Sequence, residues 1–274
     1  MMQTICLQTW EEFESQAQQR REQALVDGTF GPMLFRGQRD AEWSLRTTLE
    51  RRQERKNKFE DYYRIAYRVR PEIETLTGNR WDLPNFKDII KFIRDYGALG
   101  RKLPLEDVPA FNYLAHLRHN GFPSPLLDWT RSPFVAASFA FSEKATSSYV
   151  SIYTVAESPL QAYSSELPRV YRFSSNVRTH RRHFLQQCNY TICLIHDNEA
   201  GWRFVSHEPQ AFAGPDHLDH PNFELYKFNI PATERLKVLK KLDDYNLNAF
   251  SLFGSEESLM ETMAIREMEF EERI

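Results

Sequence analysis

Residues 123–141 read PSPLLDWTRSPFVAASFAF, and the reading of this stretch decides the fold. Ser132 and Pro133 make a good N-cap and first-turn pair, so a helix opens there. Phe134–Phe141 is apolar nearly all round, and such a helix must be central. Just ahead of it, Leu126, Leu127 and Trp129 surround a lone carboxylate, Asp128. A surface loop has little use for three large apolar side chains, and a plain core strand has little use for an acid. The sequence therefore reads as a loop that seats Asp128 among apolar side chains at the foot of a buried helix.

Upstream, a helix from about Val108 carries Phe111, Leu114 and Ala115 on one face and ends near Asn120-Gly121, with Pro123 just beyond as a stop. Phe86, Ile89, Ile90 and Ile93 fall at i, i+3, i+4 and i+7. Residues 50–70 are strongly charged, yet Phe59, Tyr62, Tyr63, Ala66 and Tyr67 form one stripe. Thr9 and Glu12 are spaced as a capping box for an N-terminal helix over 9–27, closed by Asp27-Gly28. Pro32–Phe35 reads as a short buried strand running into Arg36-Gly37-Gln38. Downstream, strands are expected at Tyr149–Val155, Tyr190–Ile195, Phe223–Ile230 and Asn248–Phe253. Thr233 is expected to cap a helix with Leu236, Leu239 and Leu242 inward, and Ser255-Glu256-Glu257 to open a last one. A helical first half and a strand-rich second half argue an α+β fold with a mixed sheet. No repeat or linker is visible, so residues 1–274 read as a single domain with a helical insertion at about 50–107.

The 274 residues are enough for one large domain with a real core. The formal net charge of −3 shows no basic excess of the kind a general nucleic-acid binder carries. Cys6, Cys188 and Cys193 are too scattered for a disulfide framework, which points to a reducing compartment. No run approaches about 18 apolar residues, so no membrane span is expected. The opening MMQTICLQTWEEF lacks a basic segment followed by an apolar one, so no signal peptide is expected and the localisation reads as cytoplasmic.

Several residues could carry chemistry. Arg36 leaves an apolar strand, and Gly37 after it permits close approach of a ligand or another backbone. Its planar guanidinium suits bidentate binding of phosphate or carboxylate. The alternative is a buried ion pair with Asp128 or Glu42. His119 and Asp128 could share a site, or Asp128 could cap the backbone at Thr130 or the following helix. His180/His183 and His217/His220 are spaced i, i+3, but no HExxH or paired Cys supports them, and no metal is expected. The basic runs Arg178–Arg182 and Arg51–Lys58 read as solvated faces, and also as the only places where a nucleic acid or nucleotide would find concentrated positive charge. There is no Gly-rich phosphate loop, no GxSxG elbow and no Rossmann fingerprint.

Phe35-Arg36-Gly37-Gln38, then Trp43-Ser44-Leu45 and Leu49-Glu50-Arg51, resembles the opening of the FRG-domain family. The family's His-Tyr-Gly-Leu-Pro-Thr-Arg-Leu-Leu-Asp-Trp-Thr block reads here as His119-Asn120-Gly121-Phe122-Pro123-Ser124-Pro125-Leu126-Leu127-Asp128-Trp129-Thr130. Gln186-Gln187-Cys188-Asn189-Tyr190-Thr191 resembles a Gln-Gln-Gly-aromatic-Thr block, and Ser251-Leu252-Phe253 a last one. The blocks run in family order over about 33–265. The departures are Asn120 for Tyr, Ser124 for Thr, Pro125 for Arg and Cys188 for Gly.

The family occurs widely in bacteria and their phages, often in settings that suggest defence or toxin systems. The layout is also similar to that of ADP-ribosyltransferases, with Arg36 early, Thr130 in the middle and Gln187 or Glu257 late. These likenesses imply an ADP-ribosyltransferase or NAD glycohydrolase, with NAD as substrate and a macromolecular acceptor or a cognate regulatory protein as partner. Arg36 would hold the pyrophosphate, with Gln38, Trp129 and Gln187 completing the NAD site and Trp129 or a Tyr stacking on a ring. His119 and Thr130 would position the ribose, Asp128 would orient or pair, and Glu257 would stabilise an oxocarbenium-like transition state. The alternative is a non-catalytic nucleotide- or partner-binding module built on an Arg36/Asp128/His119 network. A lesser one is a nuclease using Asp128, His119 and Glu50.

Overall fold

The computed structural model describes residues 2–29, 31–52, 58–98, 108–158, 167–173, 179–197, 201–213 and 221–270. Arg178 of one basic run, residues 53–57 of the other, residues 99–107 of the expected helical insertion and the His217/His220 pair lie outside the described residues.

The fold is α+β, and among the described residues it is built around an eight-stranded mixed sheet. In chain order its elements begin with β1 (Gln3–Cys6), α1 (Trp10–Val26), β2 (Leu34–Gln38), α2 (Thr48–Arg52), α3 (Phe59–Thr77), α4 (Phe86–Ala98) and α5 (Phe111–His119). Next come β3 (Leu127–Thr130), α6 (Pro133–Phe141), β4 (Tyr149–Glu157), β5 (Arg169–Phe173), α7 (Arg182–Leu185), β6 (Cys188–Asp197) and β7 (Gly201–Phe204). The chain continues through α8 (Pro209–Ala213), β8 (Phe223–Pro231), α9 (Arg235–Asp244), α10 (Ala249–Phe253) and α11 (Glu256–Ile265). The strand order is β1-β8-β4-β2-β3-β6-β5, with β7 also on β6. Among the described residues only the β1–β8 pair is parallel.

Period-two alternation sorts the sheet residues onto two faces. Phe35, Ile152 and Phe228 join Trp10, Phe13 and the alanines of α6 on one face. Leu34, Tyr153, Trp129 and Leu225 pack with Phe212 on the other. Beyond β3, the first face continues as Tyr190 and Ile192, covered by Tyr62, Tyr63 and Leu114 of the helical insertion. The aromatic stripe of α3 is thus the underside of that cover, and Phe59 stacks on Phe204 with centroids 5.1 Å apart.

The stretch that decides the fold behaves as a strand followed by a helix. Leu127–Thr130 is β3, a central strand, and not the loop read from the sequence. Ser132 does cap α6, accepting from Val135 N–H. The small residues Ala136 and Ala140 let α6 lie against β2 so closely that a Cβ on Gly37 would sit 1.9 Å from the Ala136 carbonyl oxygen. Gly37 is therefore required for packing. The helix is not buried all round, since Phe139 is exposed at the rim of a cavity.

Two other expectations change. Asn248–Phe253 is α10 and not a strand, because Asn248 and Ser251 cap each other reciprocally and Gly254 closes the turn at φ +61°. A 3-10 turn over Ala232–Glu234 precedes α9, so Thr233 is not its cap. Buried Arg235, bound to the Phe141 carbonyl, sets the helix face so that Val238 and Leu242 point inward and Leu236 outward.

Candidate functional site

β2 pairs with β4 along its whole length, from Leu34↔Val155 to Gln38↔Ser151. Its other edge meets β3 at a single position, Phe35↔Thr130. Continued register would set Gly37 opposite Asp128, but the strands diverge first. A cavity of about 770 Å³ opens in that gap, with Arg36, Gly37 and Gln38 on one side and Asp128, Trp129 and Thr130 on the other. That volume is in the range of small-molecule sites.

Arg36 bridges the gap. Its Nη1 donates to the Asp128 carbonyl oxygen at 2.7 Å, taking over where the ladder stops. Burial lowers its pKa to about 10, an effect partly offset by Asp128 and reinforced by Arg118 and Arg51. It remains a cation at neutral pH. Its Nε is buried and has no hydrogen-bond partner among the described residues.

The expected side-chain pairing of Arg36 with Asp128 does not form. The Asp128 carboxylate pairs with Arg118 at 2.5 Å, from the last turn of α5. Nor does Asp128 cap the next helix: Thr130 Oγ1 accepts from Ser132 N–H at 3.1 Å, and Ser132 caps α6. Arg39, Arg46, Arg51 and Arg182 also line the cavity, giving six arginines against the carboxylates of Glu42, Asp128 and Glu143. Low-dielectric walls of one dominant sign focus the field on an anion. At the mouth Arg39 pairs with Glu143 and lies 5.1 Å from the ring of Trp43, which is 40% exposed.

β3 and β6 pair with Asp128 opposite Tyr190 and Thr130 opposite Cys188, so these four side chains share a face. His119 Nε2 lies 2.5 Å from the Tyr190 hydroxyl, and His183 Nδ1 lies 2.9 Å from the same oxygen. Burial depresses His119 to about 4, against the pull of Asp128 and with further lowering by His183 and Arg118. Its imidazole is neutral at pH 7.

Arg36, Gln38, His119, Asp128, Trp129 and Thr130 therefore converge on the cavity. Trp129 does so without a free ring. It is 2% exposed, its Nε1 donates to Thr191 Oγ1 at 2.8 Å, and it packs against Phe212. It cannot stack on a ligand, whereas Trp43 can. Gln38 Nε2 donates to the Ser44 carbonyl, while its Oε1 is buried without a partner among the described residues.

Gln187 is exposed and stands at φ +49°, a backbone turn that sends Gln186 to the cavity in its place. Glu257 sits exposed in the first turn of α11, away from the cavity lining, where its helix N-terminus and Ser255 hold its pKa low. Glu50 is a capping residue of α2, accepting from Thr47 N–H and Ser206 Oγ, and is not among the lining residues. The Asp128/His119/Glu50 trio thus does not assemble. Arg51 and Arg182, from the two basic runs, do reach the cavity, whereas the sequence does not single out Arg118 and Trp43 as lining residues. The signal for Arg118 was its place beside His119 at a helix end facing the Asp128 motif.

Residues 31–149 match the family model of the FRG domain. This supports the FRG-domain family for the chain, and the match spans β2, α5 and β3 with Arg36, Arg118 and Asp128. Arg182, Gln186, Cys188 and Phe253 complete the cavity from beyond it. No curated protein and no solved structure matches the chain.

Proposed function

We propose that this chain is an FRG-domain protein that acts on NAD, as an ADP-ribosyltransferase or NAD glycohydrolase of a defence or toxin system. The observation that carries the reading is the cluster of Arg36, Arg51 and Arg118 around a ligand-sized cavity that holds few acids. A guanidinium fork is the side chain best shaped for a pyrophosphate. Trp43 offers an open ring for a base. Thr130 would bind a ribose hydroxyl and neutral His119 would position the site, with Gln38 nearby.

With Glu257 remote, Asp128, the one of the three lining carboxylates that lies beside Arg36, would stabilise a positive C1′. In that reaction the C1′–N bond breaks, nicotinamide leaves with the bonding electrons, and water or an acceptor adds to C1′ while giving up its proton. The second reading is a non-catalytic nucleotide-binding module. It is favoured by the Arg118–Asp128 pair, which occupies the carboxylate catalysis would use.

The test is nicotinamide release from NAD by the purified chain, beside calorimetric binding of NAD and ADP-ribose. Release in the parent and its loss in Arg36→Ala support the enzyme. Binding without release supports the module. Absence of both release and binding sinks the nucleotide reading.

A further inference from the structure

We infer that His119, His183 and Cys188 form a zinc site in the wall of the cavity, with its fourth position turned toward the cavity. The three come from separate elements, the end of α5, α7 and the first residue of β6. Their ligand atoms all lie within 4.8 Å of one another. The sequence spacing gave no hint of this, because the metal-like i, i+3 pair His180/His183 contributes only one of its members.

The donor set selects the metal. Two imidazole nitrogens and one thiolate suit a borderline-soft ion, and Zn²⁺ takes such sets in tetrahedral geometry. Zinc–nitrogen and zinc–sulfur bonds place neighbouring ligand atoms about 3.3–3.8 Å apart. The cluster reaches that by closing around an ion through side-chain rotation. Three protein ligands leave one position open, as in zinc sites that bind water or a ligand. His119 and Cys188 both line the cavity, so the open position faces what the cavity holds.

The hydrogen bonds also leave room for a metal. The Tyr190 hydroxyl contacts both imidazoles, but it has one proton to give. It donates to one ring and must accept an N–H from the other. The Cys188 thiol is buried, with a long contact of 3.7 Å to Gln186 Oε1 and the Tyr190 hydroxyl beside it. On binding, the thiol proton passes to solvent. The ring N–H that faced the phenol moves to the other nitrogen of its ring, which frees the lone pair. Loading therefore releases about one proton per ion.

The test is titration of chelator-treated, folded protein with Co²⁺. We expect a thiolate-to-cobalt charge-transfer band in the near ultraviolet and visible bands of a four-coordinate ion, saturating at one equivalent and bleached by Zn²⁺. Cys188→Ser should lose the near-ultraviolet band, and His183→Ala should weaken binding at least tenfold. No thiolate band in the parent overturns the proposal, as does a band that persists in Cys188→Ser. Should Cys188→Ser not fold, X-ray absorption of the zinc-loaded parent decides. One sulfur and two imidazole neighbours support the site, and a shell without sulfur overturns it. These readouts need neither NAD nor turnover, so they stand or fall apart from the nucleotide reading.

Discussion

The two edges of β2 are built from the same five residues and do opposite things. Toward β4 every residue from Leu34 to Gln38 is in register, and the backbone holds the sheet shut. Toward β3 a single pair forms, and beyond it a side chain, Arg36, does the holding. Where backbone pairing is complete, side chains are free to pack. Where it stops, polar side chains gather, because the exposed backbone groups and the opened volume can be satisfied only by donors, acceptors or a ligand. The cavity lies at the place where one ladder ends early.

That contrast can be broken from the closed side first. Gly37→Ala drives a methyl into the Ala136 carbonyl, and both must move. We expect a loss of roughly 3 kcal/mol, read from the denaturant midpoint. The φ of Gly37 is not in the left-handed region, so the cost is packing alone.

The open side has a titratable brace. Trp129 donates to Thr191 Oγ1, which lies 3.0 Å from His207 Nε2 behind the seam. Burial depresses His207 to about 4, opposed by Glu50 and reinforced by Arg36. Because its folded pKa lies below its unfolded value, its contribution is fully present above about pH 6.5 and is lost as the pH falls toward 4. For this one group the slope reaches at most about 1.4 kcal/mol per pH unit. His207→Gln should remove that share of the slope in urea unfolding between pH 7 and pH 4. An unchanged slope would mean that the imidazole is not buried neutral.

Arg36→Ala removes the side chain that spans the gap and leaves the Asp128 carbonyl short of a donor, at about 1–3 kcal/mol. Arg36→Lys should keep more of the stability yet bind NAD or ADP-ribose at least about tenfold more weakly, since the fork is gone. Equal affinity in Arg36→Lys would show that charge alone suffices. Glu257→Gln, outside the cavity, should change stability by no more than about 0.5 kcal/mol and leave nucleotide binding untouched.

What could be read in the sequence was what neighbours in the chain decide. The caps at Thr9, Ser132 and Ser255, the stripe from Phe59 to Tyr67 and the apolar helix after Thr130 all depend on residues within a turn or two. The convergence of Arg36, His119, Asp128 and Thr130 was legible from the motif blocks. The partner of Asp128 was not, because Arg118 and Arg36 are equally good cations and only the folded position of the end of α5, which brings Arg118 to the carboxylate, chooses between them. Gln186 and Gln187 differ by one residue, and the left-handed turn at Gln187 that separates them has no glycine to announce it. The strands β1, β5 and β7 are short, and their alternation is too brief to register.

One clasp at the rim has a consequence for how such a protein can change. Gln186 Nε2, Arg182 Nε and Arg181 Nη2 hold the carbonyls of Leu252, Phe253 and Gly254 in turn. All three grips are on the main chain at the end of α10, which every amino acid shares. Phe253, which faces the cavity, can therefore be exchanged with the loss of its ring contacts to Arg182 and Phe139 but with all three main-chain grips kept. The arrangement separates the inheritance of the scaffold from that of its preference. A lineage could retune what enters by single substitutions there while the wall that carries them stays in place.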